Sequence, residues 1–491
     1  MPILKETWQP ARLIPVTGMT GADEQERRGS SAFLAVLSSV REFGRDVTAL
    51  VGAPAGQIET FIEVPFTLGD QRYRPDGLIR VTRGKRSWVA LLEAKTGRNQ
   101  LNATQVAAYV DIASEQGFDA VVTISNEIPT TPGVHPVSID KRKLKRVSLQ
   151  HLSWSQVHTE ALIERANRAV SDPDQAWILS EFIRYLEYEK SGALDFDDMG
   201  PAWVTVRDAC LSQTVRASDK ETLEVVAKFD QLMSYAAMRL SRQLGVHVQP
   251  AISRKDLATA GARVQGQAAA LAKTGQLAGG IIVPNAVAPI SITLDLRASR
   301  VDVALSLSAP SSGRQATRIN WLLRQLSNAP ANLHVRARVA HARGDGPSKS
   351  LADLVEQPLA LVEDRHAEIA TFTLTLSRAT GTKRGQGRGS FVGSVLDAID
   401  GFYSDVVQYL RPWTDLAPKV KAPEAADEAL GSLTKSELPP DSLAVRGSDL
   451  ADVSNSEPSN SEARSDEVTP PFADDDVWTP TGVTPPDYPA A

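Results

Sequence analysis

One cysteine, Cys210, is all that 491 residues contain. That excludes an intramolecular disulfide and any multi-cysteine zinc or iron–sulfur centre. Nothing near it in the sequence suggests activation, so it reads as a small buried side chain rather than a nucleophile. The seven histidines are scattered. No His-Glu-x-x-His occurs and no pair shares a helical face, which argues against a zinc enzyme. Asp195-Phe196-Asp197-Asp198 is acidic, but no EF-hand spacing follows it, and it reads as a loop. There is no Walker motif, no dinucleotide fingerprint and no solenoid repeat. Energy-driven translocation, if the function needs it, must therefore come from another chain. The start, Met-Pro-Ile-Leu-Lys-Glu-Thr-Trp, lacks the apolar run of a signal peptide, and no stretch of 18 apolar residues is present. The expectation is a soluble protein of a reducing, cytoplasmic interior with no membrane partner.

Positive charge is also scarce overall, with a formal net charge of −6, but it is unevenly placed. From Lys421 onward there are four basic and fifteen acidic residues, a balance of −11, which leaves +5 for the rest. Residues 71–160 alone hold thirteen basic and eight acidic groups. A mildly basic body suits phosphate contact. The segment from about 416 is rich in Pro, Ser, Asp and Glu and too poor in apolar residues to offset its ordering entropy, so a disordered acidic tail is expected over 416–491.

The most informative spacing lies in the first third of the chain. Asp76, in Arg74-Pro75-Asp76-Gly77, is followed by Glu93-Ala94-Lys95. Residues 78–81 read as a short strand, Arg83-Gly84-Lys85-Arg86 as a polar turn and residues 88–92 as a buried strand. Side chains alternate faces along a strand, so Glu93 and Lys95 share a side. Paired as a hairpin, the two strands bring Asp76 beside Glu93. Two carboxylates and an ammonium at a strand end suit a divalent cation and an activated water. The plainer alternative is a solvated strand end whose ion pairs contribute under about 1 kcal/mol. Ten residues after Lys95 come Gln105 and Tyr109, at i and i+4 on one helical face.

These residues resemble the PD-(D/E)XK nuclease superfamily, which is restriction-endonuclease-like. The Gln-x-x-x-Tyr helix after the Glu-x-Lys strand is similar to the subgroup with RecBCD-type and lambda-exonuclease-type nuclease domains. The resemblance covers roughly residues 20–165. It implies an α/β fold with an αβββαβ core: a helix at 23–44, a strand at 59–66, the hairpin at 72–93, a helix at 99–116, a strand at 120–125, and a strand near 147–154 leading into a helix. It implies Mg²⁺ (or Mn²⁺) held by Asp76, Glu93 and the Ala94 carbonyl, with an acid of the first helix, Glu26 before Glu24, reaching the metal. Both acids also suit a helix's first turn for reasons of dipole alone. Lys95 would stabilise charge, and Gln105 and Tyr109 would line the cleft. The implied activity is phosphodiester hydrolysis, of DNA rather than RNA, in repair or defence. The competing expectation is a nuclease-fold scaffold that has lost turnover, serving as a nucleic-acid-binding or stress-related assembly component.

The remaining expectations are architectural. Residues 1–20 form an N-terminal extension to the 21–165 domain, and 166–275 read as helical, with apolar spacing strongest over 176–186 and 223–244. Residues 276–415 alternate with period two and suggest a separate α+β domain of order ββαββα, without recognisable chemistry. Two basic features stand apart. Lys141, Arg142, Lys143, Lys145 and Arg146 either grip nucleic-acid phosphate or form a solvated loop. Gly385-Gln386-Gly387-Arg388-Gly389-Ser390, behind Lys383-Arg384, fits no nucleotide fingerprint and reads as a flexible loop.

Overall fold

The computed structural model describes residues 12–15, 21–130, 133–167, 170–341, 344, 346–362 and 368–414. The expected tail and most of the N-terminal extension lie outside these residues. These described residues belong to one compact unit. It is mixed α/β, built on two main sheets with distinct hydrophobic cores.

The first sheet opens with α1 (Ala22–Ser39) and α2 (Arg41–Leu50), split where Val40 turns extended (φ −106°, ψ 103°). The single helix expected over 23–44 is thus two. The strand expected at 59–66 ends early: β1 is Gln57–Ile62, and β2 (Phe66–Leu68) and β3 (Gln71–Tyr73) form a small hairpin of their own. Then come β4 (Gly77–Arg83), β5 (Arg86–Ala94), α3 (Ala103–Gln116), β6 (Ala120–Ser125), β7 (Ser148–Ser153) and α4 (Trp154–Asn167). The strand order is β1-β4-β5-β6-β7, with β1, β4 and β5 antiparallel and β5, β6 and β7 parallel. Helix α3 covers one face through Tyr109, Val110 and Ala113 against Leu78, Leu91 and Val121. The other face packs Ile79, Val81, Leu92 and Val122 beneath α1 and α4.

The middle region holds α5 (Pro173–Leu186), α6 (Trp203–Leu211) and α7 (Lys220–Leu244). A two-residue strand, β8 (Gln249–Pro250), and the helices α8 (Arg254–Ala258) and α9 (Ala260–Thr274) follow. Helix α7 is long because it serves both sheets, packing on α4 and on β9 (Gln276–Ile282). The second sheet continues with β10 (Ile290–Asp295), β11 (Arg300–Ser308), α10 (Gln315–Gln325), β12 (His334–Val339), β13 (Ser348–Ser350), α11 (Leu351–Glu356), β14 (Ile369–Ala379) and α12 (Phe391–Asp405). Its order is β13-β12-β14-β11-β10-β9-β8, every pair antiparallel. The period-two reading located β10 and β11 but missed β9. Its Gly279-Gly280 pair reads as a chain breaker, whereas a Cβ at Gly279 would sit 2.7 Å from the Met233 Cγ of α7. The glycine is there to admit the helix.

Candidate active site at the end of strands β4 and β5

The β4–β5 hairpin sets the site's geometry. Arg83 pairs with Arg86 across Gly84-Lys85, and Gly84 takes φ +62°. A two-residue loop fixes register, and here it places Gly77 opposite Leu92. One step further along that register sets Asp76 opposite Glu93. The Asp76 carboxylate crosses the strand end to accept the Ala94 amide (2.7 Å). In a strand the N–H and C=O of one residue point the same way, so the Ala94 carbonyl also faces the Asp76 side.

Lys95 follows, its Nζ 2.8 Å from Glu93 Oε1 and 2.6 Å from Glu26 Oε1. The Asn99 amide donates to the other Glu26 oxygen (3.0 Å). Glu26 is thus drawn into the cluster, while Glu24 turns to Arg28 (2.7 Å). The side chains of Lys95, Glu26 and Glu93 are only 15, 14 and 3% exposed. A solvated strand end does not describe them. These are desolvated charges, and removing the one ammonium from such a set costs on the order of 3–5 kcal/mol.

Three carboxylates face one ammonium here, and the titration of Glu93, Asp76 and Lys95 is shifted. Burial, and after it the charge of Asp76, raises Glu93 well above the ordinary carboxylate range. Burial raises Asp76 too, although the Ala94 amide and Lys95 oppose it. Lys95 is held above its usual value because Glu93 and Glu26 outweigh its own burial, so it stays protonated.

Helix α3 supplies the far wall. Asn102 caps it, accepting from the amides of Thr104 (2.9 Å) and Gln105 (3.2 Å). Gln105 Nε2 donates to the Tyr109 hydroxyl (3.0 Å), which lies near enough to Glu93 for that charge to act on the phenol. Burial first, then the Glu93 charge, keeps the phenol protonated. All five expected residues, Asp76, Glu93, Lys95, Gln105 and Tyr109, are therefore brought together. A groove of about 680 Å³ runs along α1 past Ser31, Ala35 and Arg27 and ends at Asp76.

Two features depart from expectation. The basic run 141–146 precedes β7, at the end of the sheet opposite Glu93 and Lys95. Arg142 grips Asp140 (2.8 Å) and Lys143 grips Asp111 (2.6 Å), leaving Lys141, Lys145 and Arg146 exposed. Its position follows from parallel pairing: a segment entering β7 lies where β5 begins, and the site lies where β5 ends.

The second is a polar row that spacing did not reveal. Glu93, Thr123 and His151 are register partners across β5, β6 and β7, so they share one face. The buried Thr123 hydroxyl meets His135 Nε2 and His151 Nδ1, both at 2.8 Å. One direction runs through the chain. The Val137 amide donates to His135 Nδ1 (3.0 Å), His135 Nε2–H to Thr123, Thr123 O–H to His151, and His151 Nε2–H to the Glu127 carbonyl (2.8 Å). Both rings are neutral in this scheme, in keeping with burial pushing His151 down to about 4 and lowering His135.

The donors Asp76, Glu93 and the Ala94 carbonyl are hard oxygens, and the buried excess of negative charge is what a divalent cation relieves. Mg²⁺ typically takes one or two carboxylates and keeps its waters. Among the described residues no group of three or more His, Cys, Asp or Glu is arranged to hold a metal ion, so the set fits such a cation but not an all-protein cage. Nor is any described helix long and apolar enough to cross a membrane. Comparison with known proteins returned no matching family model, no matching curated protein and no matching solved structure.

Proposed function

We propose that this chain is a Mg²⁺- (or Mn²⁺-) dependent nuclease of the PD-(D/E)XK kind that hydrolyses phosphodiester bonds of DNA. The observation that carries the reading is the convergence of Asp76, Glu93 and Lys95 at one strand end, desolvated and in excess of negative charge.

Asp76, Glu93 and the Ala94 carbonyl would hold the cation, which supplies Lewis acidity toward the phosphoryl oxygens and toward a bound water. Lys95 contributes fixed positive charge beside the reacting phosphate. Its raised pKa suits an electrostatic stabiliser and not a general base. Glu26 acts through Lys95, holding the ammonium together with Glu93. Gln105 orients the Tyr109 hydroxyl, which lines the site beside Glu93. The groove along α1 offers the strand a path to Asp76.

A second reading, a nuclease-fold scaffold without turnover, draws on one observation. Asp76, Glu93 and Glu26 each already have a partner within the chain, so the cluster also works as a structural anchor. Incubation of the purified chain with linear, circular and single-stranded DNA, with Mg²⁺ and with EDTA, separates the two. Metal-dependent cleavage lost on Glu93→Gln supports the nuclease. Wild-type chain that binds divalent cations neither in calorimetry nor in cleavage supports the scaffold.

A further inference from the structure

The glycine-rich segment 383–389 enters from the second sheet, between β14 and α12, and is closed on itself. The Lys383 amide donates to the Gly389 carbonyl (3.0 Å), the Phe391 amide to the Lys383 carbonyl (3.0 Å) and the Ser390 amide to the Gly387 carbonyl (3.0 Å). Gly385, Gly387 and Gly389 take φ of +148°, +95° and +80°, values that L side chains rarely adopt. The expected flexible loop is a defined ring.

That ring is tied, link by link, to the turn that follows Lys95. Arg384 Nε bonds both oxygens of Asp198 (2.8 and 3.0 Å), and the Gln386 side chain lies near enough to Asp197 to act on its carboxyl. Residues 192–198 are in turn fixed to the Lys95 turn. The Gly97 amide donates to the Gly192 carbonyl (2.8 Å), and Asn126 Nδ2 bridges the Gly97 and Gly192 carbonyls (2.9 and 2.7 Å). Asn126 Oδ1 accepts the Leu194 amide (2.9 Å). Burial, and after it the charge of Asp198, raises the Asp197 carboxyl, and the charge of nearby Arg98 partly opposes that rise. Arg98 lies three positions after Lys95, a backbone span of about 11 Å at most.

The charges on this rim are not balanced. Asp198 neutralises Arg384, but among the described residues no carboxylate pairs with Lys383 or Arg388, and both are exposed. The Lys383 Nζ lies back over the ring, 3.4 Å from where a Gly387 Cβ would stand. Two exposed cations on a closed ring, with Arg98 also exposed on the turn after Lys95, match a polyanion in charge.

We infer that Lys383 and Arg388, carried on the 383–389 ring, together with Arg98 form a phosphate-binding rim that grips the phosphodiester backbone of the strand entering the Asp76–Glu93 site. The inference rests on the nuclease reading for the direction of the strand. The ring gives the second sheet a role in the first sheet's chemistry, and Arg384 is its anchor rather than a contact.

The test is the double variant Lys383→Ala/Arg388→Ala in the full chain, with Arg384 retained. Binding of a fluorescein-labelled DNA duplex is followed by anisotropy in EDTA over a series of salt concentrations. Loss of two phosphate contacts weakens affinity roughly tenfold or more at low salt and reduces the slope of log K against log [salt] by about 2. Lys383→Arg/Arg388→Lys keeps both values near wild type, which sets charge loss apart from misfolding. Unchanged affinity and slope in the alanine variant, in a chain that still cleaves with Mg²⁺, overturns the rim alone. Rim-dependent binding without any metal-dependent cleavage overturns the nuclease reading alone. A wild-type chain that fails to bind the duplex overturns the rim.

Discussion

The indole N–H of Trp154 donates to the main-chain carbonyl of Lys95 at 2.8 Å, and Trp154 is itself 1% exposed. The first residue of α4 thus holds the backbone of the residue whose ammonium sits between Glu93 and Glu26. Trp154→Phe keeps most of the packing, including the edge contact with Phe33, and removes the donor. A buried carbonyl left without its partner costs about 1–3 kcal/mol. Chemical denaturation should show that loss, and cleavage should slow with little change in DNA affinity, because the strand contacts lie elsewhere.

Asp76→Ala and Glu93→Ala should each abolish Mg²⁺-dependent cleavage without unfolding the chain. Each also removes one negative charge from a buried excess, so melting temperature in EDTA should hold or rise. Wild type should melt higher with Mg²⁺ present than with EDTA, since a cation that binds only the folded state stabilises it. Both variants should lose that increment. A melting temperature that collapses in EDTA would mark these carboxylates as structural.

The site was legible because its grammar is local. Asp76 and Glu93 belong to one hairpin whose two-residue turn fixes register, and Gln105 and Tyr109 sit one helical turn apart. Such relations survive without tertiary knowledge. The Thr123–His135–His151 chain was not legible, because it joins two strands and a loop through parallel pairing, where sequence distance carries no information. For the same reason the basic run 141–146 was judged by composition alone, and the structure sets it at the far end of the sheet. Strand β9 was hidden by glycines that serve the packing of α7, and the break at Val40 lies in an unbroken apolar stripe.

Truncation after Pro418 should leave a folded chain that binds DNA at least as tightly as the full protein at low salt. It removes a charge of −10 from a body of +4, relieving repulsion of the polyanion. The difference should fade above about 0.2 M salt as screening shortens its range. Weaker binding by the truncated chain in anisotropy would show that the removed residues contribute contacts.

Acid should weaken the fold through the neutral histidines. His151 is pushed down to about 4 by burial, against an ordinary value near 6.5. Between these values the unfolded chain binds a proton that the native ring does not. Its contribution is therefore fully present above pH 6.5 and is lost as pH falls toward 4. Set against His151→Gln, the wild type should lose on the order of 2–3 kcal/mol of stability across that window. Urea titrations at pH 4.5 and 7.5 read this directly, and a difference independent of pH would contradict the neutral hydrogen-bonded chain.

Lys95 and Gln105 should separate cleanly in kinetics. Lys95→Ala removes charge aimed at the transition state, so turnover should fall by about two to four orders of magnitude. It also leaves Glu93 and Glu26 facing each other without their ammonium, and stability in EDTA should drop by roughly 3–5 kcal/mol. Mg²⁺ should restore part of that stability but not the turnover, since a cation relieves repulsion without replacing the Lys95 charge at the phosphate. Gln105→Ala should cost far less stability, because the amide only orients Tyr109. Its effect should appear as a higher substrate requirement alongside a modest loss of rate, the pattern of a positioning residue. Calorimetric metal affinity, DNA affinity in Ca²⁺ and single-turnover rates together distinguish these outcomes. Near-normal cleavage by Lys95→Ala would leave the buried triad a structural anchor, and the scaffold reading would then be the better account of Glu93, Glu26 and Lys95.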